Sequence, residues 1–204
     1  GERARIAPML ARVLSAAVTG IDAAVVSVEV DVTPGLPAFN MVGLPDSTIR
    51  ESRDRVRSAI RNAGYTFPME RITVSLAPAD LRKEGAAFDL PIALGILAAT
   101  GLVKGDALSR FLLIGELSLD GEVQPVRGVL PIALACRREG LDGLLLPVAN
   151  CREAAVVGNV TALPLRRLSE AVEWLSGERA IEPARVDPDA SAGQAAADDV
   201  DFSE

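Results

Sequence analysis

The amino-acid sequence predicts an α/β (α+β) domain in which a mixed β-sheet packs against helices. Two patterns indicate this class. Residues 9–42 contain short apolar segments joined by tight links, which is typical of antiparallel or mixed strands. From residue 71 onward, strand-like and helix-like segments alternate, which is typical of β-α-β units. Because 49% of the 204 residues are hydrophobic and 24% are charged, the chain can bury a substantial core.

The first three predicted strands span residues 11–18, 23–32 and 38–42. In the second strand, valines at every other position alternate with Ser27, Glu29 and Asp31, a period of two that predicts a half-buried strand. A helix is expected from Ser47 to about residue 63, with Asp46 or Thr48 as its N-cap. Strands are expected at 71–77, 111–116, 143–147 and 160–163, a hairpin at 118–125, and helices at 128–139, 151–157 and 168–175.

The segment Lys83–Gly101 is the predicted centre of the fold. After Asp89 it carries no charge and has no polar face, so it predicts a buried helix. At about a dozen residues it is shorter than the roughly 20 needed to cross a bilayer. Asp89 is placed as its N-cap and Gly101 as its C-cap, and the turn at Lys83-Glu84 is expected to be solvated. Acid–base chemistry by Lys83, Glu84 and Asp89 is the alternative.

Charge and composition divide the chain into three parts. Residues 1–8 are interpreted as an N-terminal extension, 9–177 as the domain, and 178–204 as an acidic linker rich in Pro and Ala. The net charge of −7 comes almost entirely from the linker, which has eight carboxylates and two arginines. Because the domain is close to neutral, strong autonomous binding to nucleic acid is not expected. The two cysteines have no metal-type spacing and suggest no disulfide framework, which favours a reduced, cytoplasmic setting. The sequence shows no signal peptide or transmembrane run, so no membrane partner is expected.

An arginine stripe, defined as Arg50, Arg53, Arg57 and Arg61, follows one side of the first predicted helix. One interpretation is a solvated flank paired with Glu51 and Asp54. The other is a surface for phosphate or for a neighbouring subunit. The sequence leaves both open.

Common catalytic motifs are missing from the sequence. It contains no histidine, no Walker phosphate loop, no GxSxG elbow, no HExxH and no CxxC. Gly43 and Gly64 form no dinucleotide fingerprint.

Three blocks of sequence resemble one known family. They are LPAFNMVGLPDSTIRESRDRVRSAIRNAGY (36–65), RITVSLAPADLRKEGAAFDLPIALGILAATG (71–101) and LIGELSLDGEVQPVRGVLPIALACRREG (113–140). Together they resemble the N-terminal domain of the ComM/YifB family of magnesium-chelatase-like AAA+ ATPases, over about residues 9–177. The closing DFSE also resembles the entry to that family's ATPase module.

The resemblance implies a Lon-protease-like domain, the fold shared with the second domain of a small-subunit ribosomal protein. In the ComM branch it implies a homohexameric motor for DNA branch migration in natural transformation. ATP and Mg²⁺ are then expected in an ATPase module after Glu204, with no cofactor or metal in the present residues. Branched or single-stranded DNA is a possible partner.

The same resemblance implies that the catalytic positions of Lon-type proteases are degenerate here. Ala87 stands where the nucleophilic serine would be, and Leu130 where the lysine would be. Without an oxygen nucleophile or an amine base at these positions, the residues that covalent catalysis of that type requires are missing. Ser118 and Lys83 are substitutes by type but not by position. The leading hypothesis is a non-catalytic domain for oligomer packing or DNA guidance. The alternatives are a docking module without DNA contact and a residual serine peptidase.

Overall fold

The computed structural model describes residues 9–186 of the chain. Residues 1–8 of the predicted extension and 187–204 of the predicted linker, with its DFSE, lie outside the described residues. The predicted α/β class is confirmed: a seven-stranded mixed sheet in the order β3-β4-β2-β1-β5-β8-β9 is covered by helices, beside a separate β6-β7 hairpin.

The secondary-structure elements follow the predicted order. The strands are β1 (Met9–Thr19), β2 (Asp22–Thr33), β3 (Ala38–Val42), β4 (Arg71–Ala77), β5 (Phe111–Leu113), β6 (Glu116–Leu117), β7 (Val123–Gln124), β8 (Gly143–Pro147) and β9 (Thr161–Leu165). The helices are α1 (Ser47–Asn62), α2 (Asp89–Ala99), α3 (Val129–Arg138), α4 (Cys151–Ala155) and α5 (Leu168–Leu175). None of these helices, within residues 9–186, combines the length and apolarity needed to cross a membrane.

The sheet has an antiparallel centre and parallel flanks. β1 and β2 form a long hairpin, and β2 also pairs antiparallel with β4. β3 pairs parallel with β4 at one edge, and β5, β8 and β9 continue the other side in parallel. The alternating valines of β2 put Val28 and Val30 in the core, as the period of two predicts.

Helices cover both faces of the sheet. The larger core contains buried residues of α1, α2 and α5 together with those of β2 and β4. The smaller core joins α3 and α4 to the opposite side chains of β5, β8 and β9. The predicted buried helix is confirmed, because every residue of α2 except Ala98 is buried. Gly95 lets α2 lie close to the sheet: a Cβ there would be 2.6 Å from Cγ2 of Val30.

The predicted strand 111–116 is interrupted, because β5 ends at Leu113. The backbone of Gly115 bonds to the start of α2 instead of to the sheet: its amide donates to the carbonyl oxygen of Ala87, and its carbonyl accepts from the amide of Leu90, both at 3.0 Å. The chain then re-enters a strand at Glu116, in the hairpin predicted around Asp120-Gly121.

The first residues of the predicted linker lie against the domain. The amide of Ala184 donates to the carbonyl oxygen of Ala162 in β9 at 2.8 Å, and Ile181 packs against the larger core. These contacts cover part of the β9 edge of the sheet.

Candidate functional site

The start of α2 is built around a buried carboxylate. Asp89 is fully buried, and its predicted role as an N-cap is wrong because it is the first residue of α2, whose N-cap is Phe88. Its carboxylate accepts hydrogen bonds from Nε of Arg55 at 2.7 Å, from the amide of Leu117 at 3.0 Å and from Oγ of Ser52. The hydrogen bond to Asp89 raises the pKa of Arg55 above its usual value. The pair is therefore a structural link between α1, α2 and the β6-β7 hairpin.

Lys83 is also buried, which corrects the prediction of a solvated turn for this residue, whereas Glu84 is exposed as predicted. Its ammonium donates to the carbonyl oxygens of Gly43 at 2.7 Å, Leu76 at 3.1 Å and Pro78. Burial lowers the pKa of Lys83, because desolvation disfavours the charged form. With all three donors used, Lys83 joins the ends of β3 and β4. It is not presented to solvent as a base.

Ala87 lies in a cavity of about 690 Å³ between the start of α2 and the loop that leads into α3. The loop contributes Arg127 and Gly128 to the lining, and Asp46, Glu84 and Glu116 supply carboxylates. The carboxylate of Asp46 already accepts from the amides of Ile49 at 2.8 Å and Gly85 at 3.2 Å. The cavity therefore presents charged groups to solvent. One of them, the carboxylate of Asp46, already accepts hydrogen bonds from the protein's own backbone.

The structure does not bring Leu130 into this cavity with Ala87. Leu130 is 44% exposed and is not a lining residue. Ser118 lies in the β6-β7 turn, where its hydroxyl bonds to Asp120. The assignment of Ala87 and Leu130 as degenerate catalytic positions stays a prediction. Neither Ser118 nor Lys83 lines the cavity that contains Ala87.

The arginine stripe runs along the exposed side of α1. Arg53, Arg57 and Arg61 line a groove of about 260 Å³, whereas Arg50 does not. The guanidinium carbons of Arg57 and Arg61 lie 5.6 and 5.9 Å from the ring centroid of Phe67, within cation–π range.

The predicted pairing of the stripe with Glu51 and Asp54 holds only in part. Arg53 lies 3.7 Å from Asp54, but Glu51 pairs with Arg55 at 3.7 Å. Within residues 9–186, Arg50, Arg57 and Arg61 form no ion pair. Three guanidinium charges of the stripe therefore have no carboxylate partner in the described part of the chain.

Sequence reasoning missed the aromatic side of this groove. Phe39, on the edge strand β3, and Phe67, in the loop before β4, both line it. Phe67 has no periodic signal because it lies outside any helix or strand. Phe39 alternates with exposed neighbours in β3, but the proximity of β3 to α1 is decided by the sheet order.

The cysteines and carboxylates of residues 9–186 form no cluster of three or more that could hold a metal ion. The thiols of Cys136 and Cys151 are buried separately in the smaller core, and burial raises the pKa of each to about 11.

Comparison with known proteins identifies the family. The family model of subunit ChlI of Mg-chelatase matches residues 28–150. The chain is 42% identical over 172 residues to the competence protein ComM of Haemophilus influenzae, covering 84% of this chain and 34% of that protein. It is 40% identical over 166 residues to the uncharacterized protein YifB of Escherichia coli, covering 81% of this chain and 33% of that protein. The chain spans about a third of the length of these relatives.

A more distant similarity concerns the kind of domain. The chain is 27% identical over 178 residues to the Lon protease of Mycolicibacterium smegmatis, covering 82% of this chain and 22% of that protein. The chain therefore belongs to the magnesium-chelatase-like family of ChlI, ComM and YifB, and its domain is of the Lon-protease-like kind.

Proposed function

We propose that this chain is a non-catalytic Lon-like domain of a larger cytoplasmic, homohexameric ATPase that resembles ComM. The parent protein would drive branch migration of DNA during natural transformation. The domain would pack subunits together or guide DNA toward the motor. ATP and Mg²⁺ would act in a separate ATPase module, because the described residues offer neither a phosphate-cradling loop nor a cluster of metal ligands.

The lining of the Ala87 cavity supports a non-catalytic role. Its residues are aliphatic, glycine, proline, carboxylate or arginine, with no hydroxyl, thiol or amine side chain among them. An acyl-enzyme route needs a nucleophile and a base within hydrogen-bonding reach. A casein assay and labelling by a fluorophosphonate probe should both give no signal with the chain. Peptidase activity that Leu130→Ala abolishes would contradict this part of the proposal.

A role in guiding DNA rests on the arginine stripe. Arg50, Arg57 and Arg61 have no carboxylate partner within the described range, and three stripe members line one groove. Guanidinium groups bind phosphate through paired N–H donors. Binding releases counterions from the DNA, and this release favours binding less as the salt concentration rises. Because the domain is nearly neutral as a whole, the expected affinity of one copy is low. Repetition of the contact in a hexamer would raise the effective affinity.

The test is a fluorescence-anisotropy titration of the 204-residue chain with a labelled four-way junction at low salt. The native chain should bind weakly, and Arg53→Glu with Arg57→Glu should lose most of the binding. Arg137→Glu with Arg152→Glu is the matched control. It makes the same change in charge at exposed positions of α3 and α4 and should bind as the native chain does. An equal loss of DNA binding in both variants would show that only the net charge matters. It would contradict a specific role for the arginine stripe.

A docking module without DNA contact is the second candidate, and one observation favours it. Leu36 and Met69 are 88% and 64% exposed near the same groove, and exposed apolar side chains are common at protein interfaces. On this alternative, the native chain does not bind DNA, and the Arg53→Glu, Arg57→Glu double variant alters assembly only. Sedimentation velocity of the native and variant chains, beside the anisotropy titration, separates the two candidates. A double variant that left both DNA binding and assembly intact would remove the stripe from either role.

A further inference from the structure

We propose that the groove between α1 and β3 binds a single, unpaired nucleic-acid strand, with the arginines on its phosphates and Phe39 under one base. This inference rests on the proposed DNA contact and specifies which form of DNA the surface selects. It concerns the groove lined by Arg53, Arg57, Arg61, Phe39 and Phe67.

The spacing of the arginines matches a short length of nucleic-acid backbone. Arg53 and Arg61 are eight residues apart in α1, which at about 1.5 Å per residue separates their Cα atoms by about 12 Å. Adjacent phosphates of one strand lie about 3.4 Å apart along the axis of a duplex and further apart in an extended single strand, so this distance spans at most about three or four phosphates. Arg57 lies midway. The three side chains are thus placed to follow one strand instead of clamping one anion.

The aromatic rings give the groove a second recognition element. Phe67 is only 8% exposed, and the guanidinium groups of Arg57 and Arg61 lie over it, so its ring holds the arginines in place. Phe39 is half-buried and lines the same groove from the edge strand. An aromatic ring beside a row of cations is the arrangement that stacks bases of single strands without reading their sequence.

The shape and charge of the groove favour an unpaired strand over a duplex. A volume of about 260 Å³ is on the scale of one base, whereas the bases of a duplex are stacked inside and present only their edges. Among the described residues that line the groove, three arginines face a single carboxylate, Glu70, so the lining carries a net positive charge that attracts phosphates. Among residues 9–186, β3 has no strand partner on its outer side, so the approach to Phe39 along the sheet edge is not closed by another strand.

The experiment compares DNA forms on the complete 204-residue chain. Anisotropy is measured at 50 mM salt with a labelled 12-nucleotide oligothymidylate and with a 12-base-pair duplex. The single strand should bind at least tenfold more tightly. Phe39→Ala should weaken binding of the single strand by about 5- to 150-fold, the range expected for loss of one stacked base, and leave the weak duplex binding unchanged. Circular dichroism and thermal melting confirm that each variant is folded.

Met41→Ala is the matched control, because Met41 lies two residues further along β3, is also half-buried, and does not line the groove. It should bind the single strand as the native chain does. The salt dependence gives an independent readout of the arginines. Three phosphate contacts predict a slope of log K against log salt of about −2, and Arg57→Gln should reduce it to about −1.4.

The outcomes separate this inference from the proposed function. Equal affinity for single strand and duplex, or no effect of Phe39→Ala, overturns the single-strand inference but leaves DNA contact by the stripe intact. Absence of binding to any DNA form, the junction included, overturns both. Binding of an acidic peptide that Phe39→Ala weakens, without DNA binding, also overturns both and assigns the groove to a protein partner.

Discussion

Nε of Arg55 donates to the carboxylate of Asp89 at 2.7 Å, and this pair joins α1 to α2 inside the core. A second bond, from Nη2 of Arg55 to the other carboxylate oxygen at 3.1 Å, makes the contact bidentate. Arg55 also donates to the carbonyl oxygen of Thr48 at 2.9 Å, so the first turns of both helices share one polar centre. An ion pair of this kind is costly to break, because the remaining partner stays buried.

Asp89→Ala should therefore lower the free energy of unfolding by about 3–5 kcal/mol. It removes the fully buried carboxylate, leaves Arg55 with only the exposed Glu51 at 3.7 Å, and leaves the buried donors of Ser52 and Leu117 without their acceptor. Urea denaturation followed by circular dichroism gives the value. Arg53→Ala is the control: its pair with Asp54 is 3.7 Å long and exposed on both sides, so its loss should cost less than about 1 kcal/mol. A loss below 1 kcal/mol for Asp89→Ala would refute the central role of the pair.

Lys83→Met should destabilise the protein by about 3 kcal/mol. Three carbonyl oxygens each lose a hydrogen bond to a charged donor, worth about 1.5–3 kcal/mol, and part of that loss is offset because the ammonium no longer has to be buried. Methionine retains most of the apolar length of the side chain, so the change reports mainly on the ammonium. Thermal melting is a sufficient measurement. Lys104→Met, at an exposed loop position, should leave the melting temperature almost unchanged. Similar shifts in the two variants would contradict the contacts assigned to Lys83.

Gly43 and Gly64 both have positive φ, at 103° and 89°, but their surroundings differ. A Cβ on Gly43 would lie 2.0 Å from the carbonyl oxygen of Leu76, whereas a Cβ on Gly64 meets nothing within 4 Å. Gly64→Ala should cost about 1–2 kcal/mol, the penalty of the left-handed backbone alone. Gly43→Ala should cost clearly more, or prevent folding, since backbone must move. Comparable urea midpoints for the two variants would show that the clash at Gly43 relaxes easily.

The buried thiols predict a loss of stability at alkaline pH. In the unfolded chain a thiol ionises near its ordinary pKa of 9.0, whereas burial raises the pKa of Cys136 and Cys151 to about 11 in the folded protein. The unfolded state therefore releases protons first, and stability falls as the pH rises from about 9 to 11. Since one pKa unit is about 1.4 kcal/mol, each thiol should contribute on the order of 2 kcal/mol to this loss.

The measurement is the free energy of unfolding from urea titrations between pH 8 and 10.5. The native chain is compared with the double variant Cys136→Ala, Cys151→Ala. Only the slopes of the free energy of unfolding against pH are compared. The double variant should lose stability less steeply, because the contributions of other groups, Lys83 included, are common to both proteins. Parallel slopes would mean that the thiols ionise equally in the folded and unfolded states.

Local pattern was sufficient for most elements of the fold. Residues 38–42, 71–77, 143–147 and 168–175 have the predicted bounds, because alternation, apolar runs and flanking Gly or Pro are properties of short segments. The interrupted strand at Gly115 could not be predicted. Its backbone partners belong to the start of α2, about 25 residues earlier in the sequence.

The candidate site was predicted less completely than the fold. The helical spacing of the arginine stripe predicts four cations on one side of α1, and three of them, Arg53, Arg57 and Arg61, line one groove, while the role of the stripe stays a prediction. The carboxylates chosen as its partners were only partly correct, because Glu51 lies on the side of Arg55. Phe39 and Phe67 line the groove because the fold places the edge strand β3 and the loop before β4 beside α1.

Local sequence patterns are sufficient to predict the α/β class, the buried helix α2 and the arginine spacing, and they place alanine at position 87, because each of these is a property of neighbouring residues. The tertiary structure alone decided that Asp89 and Lys83 are buried and not solvated. Their partners, Arg55 and Gly43, are 34 and 40 residues away in the chain. A charged side chain can be buried only where the fold supplies compensating partners. The same carboxylate and ammonium would otherwise lie in water, as the local sequence suggests.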